Sequence, residues 1–173
     1  MAYREIIAEF EKQPLRHQIV SRGGAAGCWQ VFHPDATDDF EHADDASLVL
    51  LENFYGTRVL LLSDLGREGQ SALLSRTNNL RADIMIAGLP DEGEPLCDAL
   101  LDAAQSKVII IADSEFPATR RASPKLRARL EQRGIPVIYT RTAGAVTILL
   151  RPDGWELRTM GGQKNSNRTA TGN

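Results

Sequence analysis

Apolar residues along this chain recur at two periods, one helical and one extended, and the switches between them mark the elements. Near the start, Ile6, Ile7 and Phe10 fall at helical spacing, which predicts a short amphipathic helix over residues 2–12, packed by one stripe and ending before Pro14. QIVS (18–21) and CWQVFHP (28–34) read as short strands on either side of the Gly23-Gly24 turn. The acidic stretch that follows, DATDDFEHADD (35–45), lacks the Gly and terminal Glu of a calcium loop and reads as a solvated connection.

The core signal begins with SLVLLEN (47–53) and TRVLLLS (57–63), two apolar runs joined across Phe54-Tyr55-Gly56, which predict an antiparallel hairpin. Helix and strand then alternate. A helix over about 67–77 (Ala72, Leu73, Leu74) leads to ADIMIAG (82–88), and one over about 95–104 (Leu96, Ala99, Leu100, Ala103) leads to KVIIIAD (107–113). A third helix, opened by Ser123-Pro124 and ended by Gly134, leads to IPVIYT (135–140). Such units imply right-handed crossovers and a partly parallel sheet. A hairpin of AVTILL and WELRTM around Pro152-Asp153-Gly154 is expected to complete that sheet. The predicted class is therefore α/β, a mixed sheet with antiparallel hairpins and β-α-β units, in one domain over residues 1–160. Residues 161–173 hold a single Ala as their only hydrophobe and read as a disordered tail.

RVLLLS and KVIIIAD are apolar at successive positions, so both faces of those strands need cover. Helices on one side leave the other face to the N-terminal strands, to a second sheet or to another chain. Burial of an apolar sheet face makes a homodimer or a partner chain the expected association.

Composition narrows this only a little. With 173 residues, 42% of them hydrophobic, and a mean hydropathy of -0.27, the chain supports one sizeable core. Twenty basic against 23 acidic residues give a net charge of -3, which offers no general attraction to nucleic acid or to an anionic membrane. No run approaches the roughly 20 apolar residues of a membrane span, so a soluble domain without direct membrane insertion is expected. Cys28 and Cys97 stand in no metal or disulfide spacing and read as two reduced, largely buried thiols. Trp29 and Trp155 read as packing anchors. Gly23, Gly24 and Gly27 do not make a dinucleotide fingerprint, and no phosphate loop is present. His17, His33 and His42 form neither a metal cluster nor a triad, and read as surface or satisfied core residues.

One arrangement is more specific. DDASLVLL (44–51) and RVLLLSDLG (58–66) put a Ser-Leu-Val-Leu strand before a strand ending in Ser63-Asp64 and a helix. LRADIMIAGLPDE (80–92) and VIIIADSEFPATRRASPKLRARLEQRGIPVIYTRTAGAVTILL (108–150) continue the order. Over residues 20–150 this resembles the second half of a metallo-β-lactamase-type domain, in the version attached to the ComEC class of DNA-uptake competence proteins. The resemblance implies a fold like half of an αββα sandwich and a membrane-channel parent protein.

It also implies places for metal ligands, and here the chain departs from the pattern. The family's bridging Asp matches Asp64. Its His-His pair falls on Leu89-Pro90, and the His of its His-Pro loop falls on Ser123, beside Pro124. The His-x-His-x-Asp-His segment has no counterpart. A hydrolytic zinc site needs about three protein ligands per ion plus an open position for water, and one carboxylate does not supply them. Asp64 has another reading, shared with Ser63, as the cap of a helix starting near Leu65. Asp113, Ser114 and Glu115, with Arg120 and Arg121, sit after KVIII at the edge where α/β sheets place ligands; their plainer reading is a solvated loop.

The expected function is thus a catalytically silent domain of a competence-related protein, without cofactor or metal, that works by binding or scaffolding. An alternative of a different class is a single-stranded nucleic-acid module using Arg120, Arg121, Lys125, Arg127 and Arg129. Pairing with a chain that donates the missing ligands would still leave Leu89, Pro90 and Ser123 in ligand places.

Overall fold

A computed structural model describes residues 6, 8–10, 12, 18–118 and 121–168. Seven strands form a first sheet in chain order: β1 (Ala25–Ala26), β2 (Trp29–His33), β3 (Val49–Phe54), β4 (Thr57–Leu61), β5 (Ile84–Ala87), β6 (Val108–Ile111) and β7 (Val137–Tyr139). Pairing is antiparallel from β1 to β4 and parallel from β4 to β7. The parallel crossovers carry α1 (Arg67–Arg76), α2 (Asp98–Ala104) and α3 (Pro124–Gln132). A short α4 (Thr140–Ala143) leads into β8 (Val146–Arg151), β9 (Gly154–Thr159) and β10 (Lys164–Arg168), which form a second, antiparallel sheet in the order β10-β9-β8. The α/β class with hairpins and β-α-β units is thus the observed one.

Local chemistry sets most of these boundaries. Tyr55 (φ 53°) and Gly56 (φ 86°) both take the left-handed conformation that a two-residue hairpin turn requires. Ser123 caps α3, its Oγ accepting from the Leu126 amide at 3.1 Å, with Pro124 as first helical residue. Arg129 and Arg133 then tie α3 to Asp98 of α2.

The consecutive apolar strand positions divide between the two faces of the first sheet. Leu51, Leu60, Met85, Ile109 and Ile111 pack under Leu73 of α1, Leu100 of α2 and Leu126 and Leu130 of α3. Val59, Ile84, Val108, Ile110 and Ile138 face the other way and meet Trp155 and Leu157 of β9. A second sheet therefore supplies the cover that the sequence left open among three candidates.

Several expectations are corrected. Residues 18–20 are not strand, and the strand nearest to them is β1, after the glycines rather than before them. The 146–159 hairpin does not complete the first sheet but builds the second. The tail expected to be disordered from 161 is strand over Lys164–Arg168, paired with β9; residues 169–173 lie outside the described residues. Near the N-terminus, residues 6 and 8–10 are helical, with Ile6 and Phe10 53% and 48% exposed; Ile7, Pro14 and His17 lie outside the described residues. Cys28 is exposed and Cys97 half-buried, both as free thiols, against the expectation of two buried ones. Among the described residues no helix is long and apolar enough to cross a membrane.

Candidate functional site

The carboxyl edge of β4 to β7 gathers the residues that carried chemical expectations. Ser63 follows β4 with φ 49°, and its Oγ donates to the Leu48 carbonyl at 3.0 Å. Asp64 comes next. Its carboxylate lies against Gly88 so closely that a Cβ at that position would overlap Oδ1, and the Gly88 amide donates to the Ser63 carbonyl at 2.8 Å. The loops after β4 and β5 are thereby locked together.

Asp64 does not cap α1, contrary to the sequence expectation. The N-cap is Gly66, with no side-chain cap bond. The carboxylate that serves this helix end is Asp45, whose Oδ1 accepts from the Gly69 amide at 3.0 Å. Glycine is required there, because a Cβ at either Gly66 or Gly69 would run into Asp45. Asp45 is itself held from below: buried His33 donates through Nε2 to its carbonyl at 2.6 Å. Among the described residues His33 Nδ1 has no hydrogen-bond partner, and it lies 3.9 Å from Asp38, which Arg76 pairs. His33 is thus a core residue, whereas His42 is exposed, 3.7 Å from Glu92.

Leu89, in one of the two places of the family's histidine pair, is 5% exposed and belongs to the helix-side core; Pro90 beside it is buried. Ser123, in the third place, is committed to its cap. Among the described residues no three His, Cys, Asp or Glu side chains come together to hold an ion. An acidic hollow of ≈ 430 Å³ does open near the start of α1, lined by Asp44, Glu68, Asp91 and Glu92, and the Asp91 amide donates to Asp44 Oδ2 at 2.6 Å. The side chains present do not fit the two-metal site that the resemblance implies.

The constellation after β6 joins one buried carboxylate to a largely exposed loop that carries ion pairs. Asp113, its side chain removed from solvent, accepts from the Arg141 amide at 2.9 Å and from Arg127 Nη2 at 3.1 Å. Arg127 also sits 3.6 Å above the Tyr139 ring, and burial pushes the Tyr139 phenol up from its ordinary value. Glu115 pairs with Arg121 at 2.7 Å and with Arg141 at 3.1 Å. Ser114 turns inward on its own loop, its Oγ donating to the Phe116 carbonyl.

The basic segment is similarly occupied. Lys125 lies 3.5 Å from Glu94, and Arg129 donates to the carbonyls of Leu96 and Pro95 at 2.7 and 2.8 Å. Arg120 lies outside the described residues. Arg121, Lys125, Arg127 and Arg129 each have an acidic neighbour, and Lys125 keeps 82% side-chain exposure.

Sequence reasoning missed Asp38, Asp45 and Arg141, while His33 takes the core place that was one of its two readings. Only Asp45 left a signal, a carboxylate just ahead of an apolar strand, and that signal does not say which helix it will reach.

Comparison with known proteins finds no family whose model matches this chain and no curated protein that matches it.

Proposed function

We propose that this chain is a catalytically silent domain that resembles the metallo-β-lactamase part of competence-related DNA-uptake proteins, and that it acts by binding or by holding a neighbour in place. The observation that carries the proposal is what the ligand places are used for. Leu89 packs in the core, Ser123 caps α3, and Asp64 braces Gly88. Each has structural work to do, and neither Leu nor Pro has a lone pair to offer an ion. A membrane-channel parent, by the same resemblance, would present the domain as a docking part.

Metal analysis of the purified full chain, paired with nuclease and phosphodiesterase assays in added zinc and manganese, tests this. The expected result is no stoichiometric metal and no turnover above buffer, for the wild type and for Asp64→Ala alike. Stoichiometric metal together with activity that Asp64→Ala abolishes would refute the proposal.

A further inference from the structure

The crossovers place α1, α2 and α3 over the parallel part of the first sheet, and on the same face a hollow of ≈ 600 Å³ opens over β2, β3 and the start of β4. Register sets its floor. Gln30 pairs with Leu51, Leu51 with Leu60 and Asn53 with Arg58, so Gln30, Leu51, Asn53 and Arg58 share the helix side of the sheet. Phe32 packs against the core on that side. One wall is the Arg22-Gly23-Gly24 turn, and the other is the end of α1 with the Thr77-Asn78-Asn79 segment after it.

Three guanidinium groups line this hollow, from Arg22, Arg58 and Arg76. Two of them are braced from outside it. Arg22 donates Nε to Asp35 at 2.9 Å and Arg76 donates both Nη atoms to Asp38, and neither carboxylate is among the lining residues. Both carboxylates are fixed in turn, Asp35 Oδ1 accepting from Thr37 and Asp38 Oδ2 from the Asp35 amide. Arg76 also offsets the partial negative charge at the end of α1. Half-buried Arg58 is held by Asn79, donating Nη1 to Oδ1 at 3.1 Å and Nη2 to the carbonyl at 3.3 Å, and has no carboxylate partner among the described residues. Glu52 is the one acidic residue among those lining the hollow, and its Oε1 accepts the Asn53 amide at 2.8 Å.

We propose that this hollow binds a phosphorylated sugar, with the phosphate on Arg58 between Arg22 and Arg76 and the hydroxyls on the carboxamides of Gln30, Asn53 and Asn78. Guanidinium forks held in place before a ligand arrives match phosphate oxygens. The three carboxamides make no side-chain hydrogen bond among the described residues, and each offers a donor and an acceptor at once, as a hydroxyl requires. Phe32 and Leu51 give the floor an apolar patch for the C–H face of a sugar ring. A bare oxyanion would leave the carboxamides and this patch unused. The volume and the two walls suit a small ligand, for which sites run to about 300–1,000 Å³.

The site lies at the opposite end of β4 from Asp64, so metal-dependent nuclease activity would sink the silent-domain reading and leave this inference standing. Ribose 5-phosphate titrated into the isotope-labelled full chain at low salt is expected to shift the amide resonances of residues 22–24, 30, 53, 58 and 76–79 in one saturable transition, with a Kd of about 1 mM or tighter. Ribose and inorganic phosphate, the two halves of the probe, should each bind at least about tenfold more weakly. Arg58→Ala removes the anchor, and Gln30→Glu, at an exposed position, sets a carboxylate in the floor. Each is expected to weaken binding of ribose 5-phosphate by about tenfold or more. The absence of a saturable shift by about 10 mM, shifts centred elsewhere, or equal affinity for either half of the probe overturns the inference. So does an affinity left unchanged by either folded variant. Should Arg58→Ala fail to fold, Gln30→Glu decides alone.

Discussion

Asp113 lies two residues beyond β6, and three chain segments converge on its carboxylate. Arg141 donates its amide to Oδ1, Arg127 a guanidinium nitrogen to Oδ2, and the Ala122 amide approaches Oδ2 at 3.5 Å. The Asp113 backbone is fixed as well, through reciprocal hydrogen bonds with the Thr140 hydroxyl at 3.0 and 2.7 Å. Truncating the side chain leaves these donors facing a void. Removing one partner of a sealed ion pair costs about 3–5 kcal/mol, but the Arg127 and Arg141 side chains keep 31% and 30% exposure and can turn to water. Asp113→Ala is therefore expected to lose about 2–4 kcal/mol in urea unfolding, with Asp113→Asn, which keeps an acceptor, losing less. A loss below experimental error for the alanine variant would mean that the network is decoration on a loop held by other contacts.

The caps of two helices differ in how far the chain must travel to make them. Ser123 serves the helix that begins at the next residue, so the Ser-Pro pair announces α3 in the sequence and the structure places it there. Ser123→Ala removes the acceptor for the Leu126 amide and is expected to cost about 1 kcal/mol, read by equilibrium denaturation. Faster amide exchange should be confined to the first turn of α3, because Arg129 and Arg133 still anchor its later turns to α2. An unchanged stability would show that water replaces the hydroxyl fully. The cap of α1 comes from Asp45, 24 positions before the amide it receives, and nothing near Asp64 in the sequence points to it. Elements defined by local chemistry, such as the Tyr55-Gly56 turn, α3 and the strands around 84–87 and 108–111, were legible. Partners recruited over distance were not.

The same limit governs the molecule as a whole. Successive apolar residues in β4 and β6 showed that both faces needed cover, but which element supplies it depends on long-range sheet membership, which leaves no periodic mark in β8 or β9. β10 was invisible for a related reason: Lys164, Asn165, Ser166 and Asn167 bury little, and the strand is held by its backbone ladder to β9. Of the candidate site, the residue types at Leu89, Pro90 and Ser123 were legible, whereas the pairing of Asp113 with Arg127 and of Glu115 with Arg121 and Arg141 leaves no mark in spacing. Ion pairs spread across the fold give it a collective dependence on acid. Hydrogen bonds from Arg22 hold Asp35 at about 2; Arg76 lowers Asp38 and Arg133 lowers Asp98. Burial alone would raise Asp83, but Lys107 and the Arg58 amide bring it below its ordinary value. A carboxyl whose pKa is depressed by folding stabilises the native state above the pKa of the unfolded chain, and that contribution fades as pH falls through the folded value. The melting temperature should therefore be flat in this respect above about pH 4–5 and drop steadily from there toward about pH 2, where Asp35 accepts its proton. Asp38→Asn should make the acid limb of a calorimetric pH series shallower by removing one of the four contributions. A limb of unchanged slope in that variant would place the acid sensitivity elsewhere.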